Sequence, residues 1–146
     1  MDDIDRKIIE KLQENSRASY KEIARDVKIS DVAVHKRIKK LQKEVIRRFT
    51  VAVDQRSLGK GTTAILMVKC DVGAAPVIAE RLSAMPDITE VYSTLGEYDI
   101  VAKIRTKDME TLKDIVEKQL RMIKGLHEIR TSIAFGSYKE EQSLVM

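Results

Sequence analysis

Two short helices joined by an abrupt turn, the second of them cationic, constrain this chain more than any other feature of its sequence. The pair lies between Ser19 and Arg48. Within it, the segment Ser30 to Lys43 sets Val34, Ile38 and Leu41 at the four- and three-residue spacing of one helical stripe. Lys36, Arg37, Lys39, Lys40 and Lys43 spread over the remaining surface. A helix with a buried stripe and a cationic back suits a polyanion; the plainer alternative is a solvated basic face.

Upstream, Ser19-Tyr20-Lys21-Glu22 fits a capping box, in which serine and glutamate reciprocally satisfy orphan backbone donors. It opens a helix with Ile23, Ala24 and Val27 inward, and after the join Lys28-Ile29-Ser30 the serine can cap the next helix. Residues 4–14 supply a supporting helix through Ile4, Ile8, Ile9 and Leu12, with Asp2, Asp3 and Asp5 crowding its positive N-terminal end. The whole reads as a helix-turn-helix, whose second helix enters the DNA major groove. Lys28 stands where many such turns carry glycine, and a left-handed conformation there costs roughly 1 kcal/mol.

Charge is distributed to match. Residues 1–50 hold 14 Lys and Arg against 9 Asp and Glu, a net of +5, whereas residues 51–146 hold 13 against 14, a net of −1. The positive excess belongs to the first third, as expected if that part meets nucleic acid. No window approaches the roughly 20 apolar residues of a membrane span and no signal peptide precedes Met1, so the expected location is the cytoplasm, with no membrane partner. Cys70 is the sole cysteine and reads as a small core residue; His35 and His127 lie far apart. Neither a metal site, a cofactor nor a catalytic constellation is expected.

Val45 to Val53 is rich in β-formers and reads as a linking strand or wing, in which Arg47 and Arg48 either extend the basic surface or stand at an exposed edge. Asp54 to Gly61 forms a polar connector. Residues 62–72 then alternate, with Ala64, Leu66, Val68, Cys70 and Val72 on one face and Ile65 and Met67 on the other. Ala75-Pro76 opens a helix with Ile78, Leu82 and Met85 inward; a strand from Ile88 to Leu95, a turn at Gly96-Glu97 and a strand from Tyr98 to Arg105 form a hairpin. On that last strand Tyr98, Ile100, Ala102 and Ile104 share a face. Lys107 to Lys124 is a helix with Met109, Leu112, Val116, Leu120 and Ile123 inward, stopped by Gly125, and Leu126 to Phe135 is the last strand.

The order βαββαβ is the ferredoxin-like arrangement, an antiparallel sheet with both helices on one face. The other face, carrying Ile65 and Met67, is most simply buried against a second copy. The expected fold class is therefore α+β, an N-terminal helix-turn-helix, winged-helix-like domain (1–50), a linker strand and connector (51–61), a C-terminal ferredoxin-like domain (62–138) and a tail (139–146).

These residues resemble the leucine-responsive regulatory protein/AsnC family, also called feast/famine regulators. The likeness rests on Asp2-Asp3-Ile4-Asp5-Arg6-Lys7-Ile8-Ile9, Arg17-Ala18-Ser19, Glu22-Ile23-Ala24, Ile29-Ser30, Val34, Arg37-Ile38 and Leu41, then on Pro86-Asp87-Ile88, Gly96-Glu97-Tyr98-Asp99 and Lys124-Gly125-Leu126. It implies dimers that join into tetramers or octamers and an amino acid or related metabolite bound between dimers. The implied effector residues are Gly96, Tyr98 and Asp99, with Thr131 and Ser132 as further contributors. A glycine turn exposes backbone donors to a carboxylate and Asp99 can take an ammonium; the same residues also read as an ordinary hairpin turn. Two positions depart from the family pattern: Lys28, and the segment Leu41 to Ile46, which lacks the usual glycine.

The expected function is sequence-specific transcription regulation, with double-stranded DNA, a second copy of the chain and an amino-acid effector as partners. The expected DNA-binding residues begin at Ser30, the cap; base readout falls to Asp31, Val32, Ala33, His35 and Lys36, and phosphate contacts to Arg37, Lys39, Lys40 and Lys43, with a guanine edge as the alternative for Lys36 or Arg37. The rivals are a sensor or assembly protein without DNA binding and an enzyme related to tetrapyrrole decarboxylases; an enzyme is not expected, because acid-base chemistry would draw on more than two histidines.

Overall fold

The computed structural model describes residues 1–140, so most of the expected tail, 141–146, lies outside the described residues. The chain divides into two compact units, Met1–Ala52 and Val53–Lys139.

The first unit holds three helices, α1 (Asp3–Glu14), α2 (Tyr20–Val27) and α3 (Asp31–Glu44). Each begins where a side-chain oxygen takes an orphan amide of the first turn. Asp2 and Asp5 form a reciprocal box at α1, Ser19 and Glu22 another at α2, and Ser30 Oγ accepts from Ala33 N at 3.1 Å at α3. Lys28 ends α2 in the left-handed conformation, φ 57° and ψ 44°, and Ile29 N donates back to Ala24 O at 3.1 Å. Ile8, Ile23, Val34, Ile38 and Leu41 are buried together in one core. Each such burial contributes about 1.5–3 kcal/mol, so the turn is held left-handed although its strain costs about 1 kcal/mol.

A directional link joins α1 to α3 inside this unit. Arg37 Nη1 donates to both Asp2 oxygens at 2.9 and 2.8 Å and to Asp5 Oδ1 at 2.7 Å. Asp5 is 5% exposed. A carboxylate this enclosed must be paired. Burial pushes the Asp5 carboxyl up, but the guanidinium and the Asp2 amide outweigh it and hold it below the ordinary 3.8. The Asp5 amide and Arg37 hold Asp2 low as well.

The expected strand or wing over Val45–Val53 is absent: residues 46–54 form no ladder, and no wing strand occurs among the described residues of this unit. β-propensity alone makes no strand where no neighbouring strand accepts its hydrogen bonds. Ile46 folds back onto the core instead.

The second unit is β1 (Thr62–Cys70), α4 (Ala75–Ser83), β2 (Ile88–Ser93), β3 (Ile100–Thr106), α5 (Met109–Ile115, continued by a π turn Val116–Leu120) and β4 (Leu126–Ala134). Its strands form one antiparallel sheet in the order β2-β3-β1-β4, the ferredoxin-like arrangement. Ala64, Leu66, Val68, Ile100, Ala102 and Ile104 pack with Ile78, Leu82, Leu112, Val116 and Leu120 on the helix-covered face.

Several expected boundaries shift. β1 stops at Cys70, not Val72, because a register irregularity at Lys69/Cys70 is followed by a turn in which Ala74 N donates to Asp71 O; Val72 is fully exposed. β2 stops at Ser93 and β3 starts at Ile100, leaving Leu95 exposed in the turn between them. Met109 is half exposed, since the side chain of a first-turn residue leans past the helix end and has no earlier turn to cover. In the π turn Arg121 N donates to Val116 O at 3.0 Å, and the extra residue lets Ile115 join Val116 and Leu120 in the core. Gly125 has φ 88°, and a Cβ there would stand 2.8 Å from Ala74 Cβ, so glycine is required by both conformation and space.

Lys28→Gly removes the left-handed strain and should raise stability by about 0.5–1 kcal/mol, read as a higher denaturant midpoint of the full chain. Because Asp2 and Asp5 titrate below 3.8 in the folded protein, their stabilisation is complete above that value and is lost as pH falls through the lower folded values. Melting temperature should therefore drop as pH is lowered from about 5 towards 2, and Asp5→Asn, less stable at neutral pH, should show a shallower acid fall. An acid limb unchanged by that substitution would contradict the assignment.

Candidate nucleic-acid interface

The three buried residues of α3, Val34, Ile38 and Leu41, fix which way its other side chains point. At 100° per residue, Val32, Lys36, Lys39, Lys40 and Lys43 stand on the far side, and all five are exposed. None of the four lysines has an acidic partner among the described residues. Ser30 and Asp31 cap the end of the helix, the latter accepting from Val32 N at 2.9 Å, and Ala33 is half-buried.

His35 and Arg37 flank this cationic face, and both are engaged. The His35 ring stacks on Tyr20 of α2 with centroids 5.2 Å apart and planes 28° apart, which holds the imidazole half-exposed beside the face. In the sequence Tyr20 reads only as part of a capping box. Its spacing could not reveal the stack, which needs the crossing of α2 and α3. Arg37, expected at a phosphate or a guanine edge, instead spends its guanidinium on Asp2 and Asp5.

The second unit brings most of the expected effector residues together around the β2–β3 turn. Thr94 N and Oγ1 donate to Asp99 O and Tyr98 O, at 2.9 and 2.8 Å, closing the loop that carries Gly96. Asp99 N donates to Val68 O, and Asp99 Oδ2 accepts from Cys70 N at 2.7 Å, tying the loop to the end of β1. Asp99 thus replaces a ladder acceptor where the β1 register breaks. Burial, then Asp99 and Asp71, pushes the Cys70 thiol up, which fits a packed rather than reactive cysteine.

Tyr98 departs from the alternation expected for it, because β3 begins only at Ile100. Its ring lies against Lys69 Nζ at 5.3 Å and Arg130 Cζ at 5.6 Å, and its buried hydroxyl has no hydrogen-bond partner among the described residues. Thr131 and Ser132 cannot act from one side: Thr131 stands opposite Leu66 on the helix-covered face, Ser132 opposite Ile65 on the open face. Arg130, which no motif singled out, is the β4 residue set against Tyr98. The open face also presents Met67 and Val101 beside the Lys103–Glu90 ion pair, with Tyr92 exposed.

Comparison with known proteins agrees with this geometry. The AsnC-type helix-turn-helix domain matches residues 1–42 and the Lrp/AsnC ligand binding domain matches residues 63–144. The chain is 37% identical over 145 residues to the HTH-type transcriptional regulator FL11 of Pyrococcus horikoshii, covering 99% of this chain and 95% of that one. In fold it matches E. coli AsnC, with a TM-score of 0.93, 23% identity and coverage of 100% and 99%. It also matches a transcriptional regulator from Neisseria meningitidis solved with L-Met, with a TM-score of 0.91, 24% identity and coverage of 99% and 96%. On the two domain matches and the full-length relative together, the chain belongs to the Lrp/AsnC family of helix-turn-helix transcriptional regulators.

Proposed function

We propose that this regulator reads double-stranded DNA with α3, working in the cytoplasm as a dimer whose second unit takes an amino acid or a related metabolite. The observation that carries the reading is the far side of α3, where Lys36, Lys39, Lys40 and Lys43 stand exposed without acidic partners among the described residues. Four cations without acidic partners on a capped helix attract a phosphate backbone, and base readout is assigned to Val32, Lys36 and His35 near its N-terminal end. Two copies would set two such helices about one helical turn, roughly 34 Å, or a multiple apart, on a pseudo-palindromic site.

Dimerisation is assigned to the open sheet face. Ile65, Met67, Val101 and Tyr92 give it an apolar centre, and the flanking Lys103, Glu90 and Arg130 give it charges that a twofold-related copy can match. The effector reading rests on the Gly96, Tyr98 and Asp99 loop with Arg130 beside it, and on the bound L-Met of the Neisseria meningitidis relative. One Asp99 oxygen already accepts from Cys70 N, so an ammonium would take the remaining lone pairs of that carboxylate.

Lys39→Ala and Lys40→Ala should each weaken binding to every duplex and lower the slope of log affinity against log salt by about 0.9 per lost phosphate contact. Slopes equal to that of the unaltered protein would remove these residues from the backbone contacts. Asp99→Asn keeps an acceptor for Cys70 N but loses the charge, and should abolish any change in DNA retardation produced by added amino acids, L-methionine first. A response that survives it would move the effector site elsewhere.

A further inference from the structure

Arg37 lies on the helix read as the DNA-contacting one, yet its guanidinium faces away from DNA chemistry. It donates to both oxygens of Asp2 and to Oδ1 of Asp5, at 2.7–2.9 Å. Those two aspartates are also the capping box of α1: Asp5 N donates to Asp2 Oδ1 at 2.9 Å and Asp2 N to Asp5 Oδ2 at 3.1 Å. One planar cation therefore closes over a paired carboxylate box whose backbone partners are already set. Asp5 is the buried member, and the Arg37 side chain is 31% exposed. The lysines on the same helix, by contrast, are exposed without acidic partners among the described residues.

The buried stripe of α3 sets its separation from α1 and decides which face turns outward, but apolar attraction is non-directional and does not by itself set the fine rotation of the helix. Short charge-assisted contacts from one guanidinium nitrogen into one box are directional, with Nη1 sharing its two hydrogens among three carboxylate oxygens, and the rigid planar guanidinium holds that nitrogen in place as a flexible lysine stem does not. We propose that Arg37 is a positioning residue for DNA recognition: with Asp2 and Asp5 it sets the fine rotation of α3 on its buried stripe, and so aims Val32, His35 and Lys36 at base edges. This rests on the reading of α3 as the DNA-contacting helix. It assigns Arg37 no phosphate contact, and it gives two acidic residues a supporting role in binding a polyanion.

The test compares affinity for a duplex selected by the unaltered protein from a random pool with affinity for a scrambled duplex. Full-length protein is used, at a temperature where circular dichroism shows each variant folded. Arg37→Lys keeps the charge and loses the planar guanidinium and its reach to both aspartates, and Asp5→Asn removes a negative charge that electrostatics alone would count against DNA. Both should lose roughly tenfold in affinity for the selected duplex, the scale of one spoiled base contact, while the scrambled duplex is bound within about twofold of the original strength. Salt slopes should stay as they are. Asp2→Asn, at the more exposed carboxylate, is the milder variant should Asp5→Asn fail to fold, and it should shift the same ratio in the same direction.

A role confined to stability would leave the ratio of selected to scrambled affinity unchanged in the folded variants, and that result overturns the proposal. So would tighter binding of both duplexes with a steeper salt slope on loss of Asp2 or Asp5, which would mark Arg37 as a phosphate ligand released from its acids. If the unaltered protein enriches no duplex from the pool, the DNA reading of α3 and this role both fall; if it does and only the ratio is insensitive, the positioning role alone falls.

Discussion

The seating of Val34, Ile38 and Leu41 against Ile8 and Ile23 is the contact on which the first unit depends. A helix of fourteen residues has no stability to spare in water by itself, so α3 exists because that stripe is buried. Once the stripe faces inward, helical geometry alone turns Lys36, Lys39, Lys40 and Lys43 outward. The same burial holds Lys28 left-handed without a glycine, because several kcal/mol of apolar burial outweigh about 1 kcal/mol of strain. Core, turn and cationic face thus follow from one packing event.

The second unit solves a different problem with the alternation of strands. Period-two patterning places Ala64, Leu66 and Val68 under the helices and Ile65 and Met67 on the open face, and the antiparallel register carries that division across all four strands. The π turn in α5 and the register break at Lys69/Cys70 are local concessions that keep the core closed. The second of these creates the place where Asp99 substitutes for a ladder acceptor, so the loop of the proposed effector site is tied to an irregular strand end.

Several residues that look functional by type turn out to hold the frame. Arg37 and Asp5 meet across thirty-two positions of sequence, Asp99 braces Cys70, and His35 leans on Tyr20. Polar groups of this kind are costly to enclose without partners, so the fold places them where partners exist, and the residues beside them gain fixed geometry. The lysines of α3, exposed and without acidic partners among the described residues, are then available to a polyanion.

The helices, their serine caps, the core stripe and the βαββαβ order were legible in the sequence because they rest on local periodicity and on capping chemistry within three or four residues. Family membership was legible too, since the motifs from Asp2 to Leu41 and from Pro86 to Leu126 keep their order. What the sequence alone could not decide was pairing at a distance. Val45–Val53 had the composition of a strand and found no ladder partner; Thr131 and Ser132 are adjacent in the chain but lie on opposite faces; Arg37 had the residue type of a phosphate ligand and met two carboxylates instead. Propensity and charge are properties of a residue and its near neighbours, whereas the hydrogen bond a side chain makes depends on which groups the folded chain brings within about 3 Å of it.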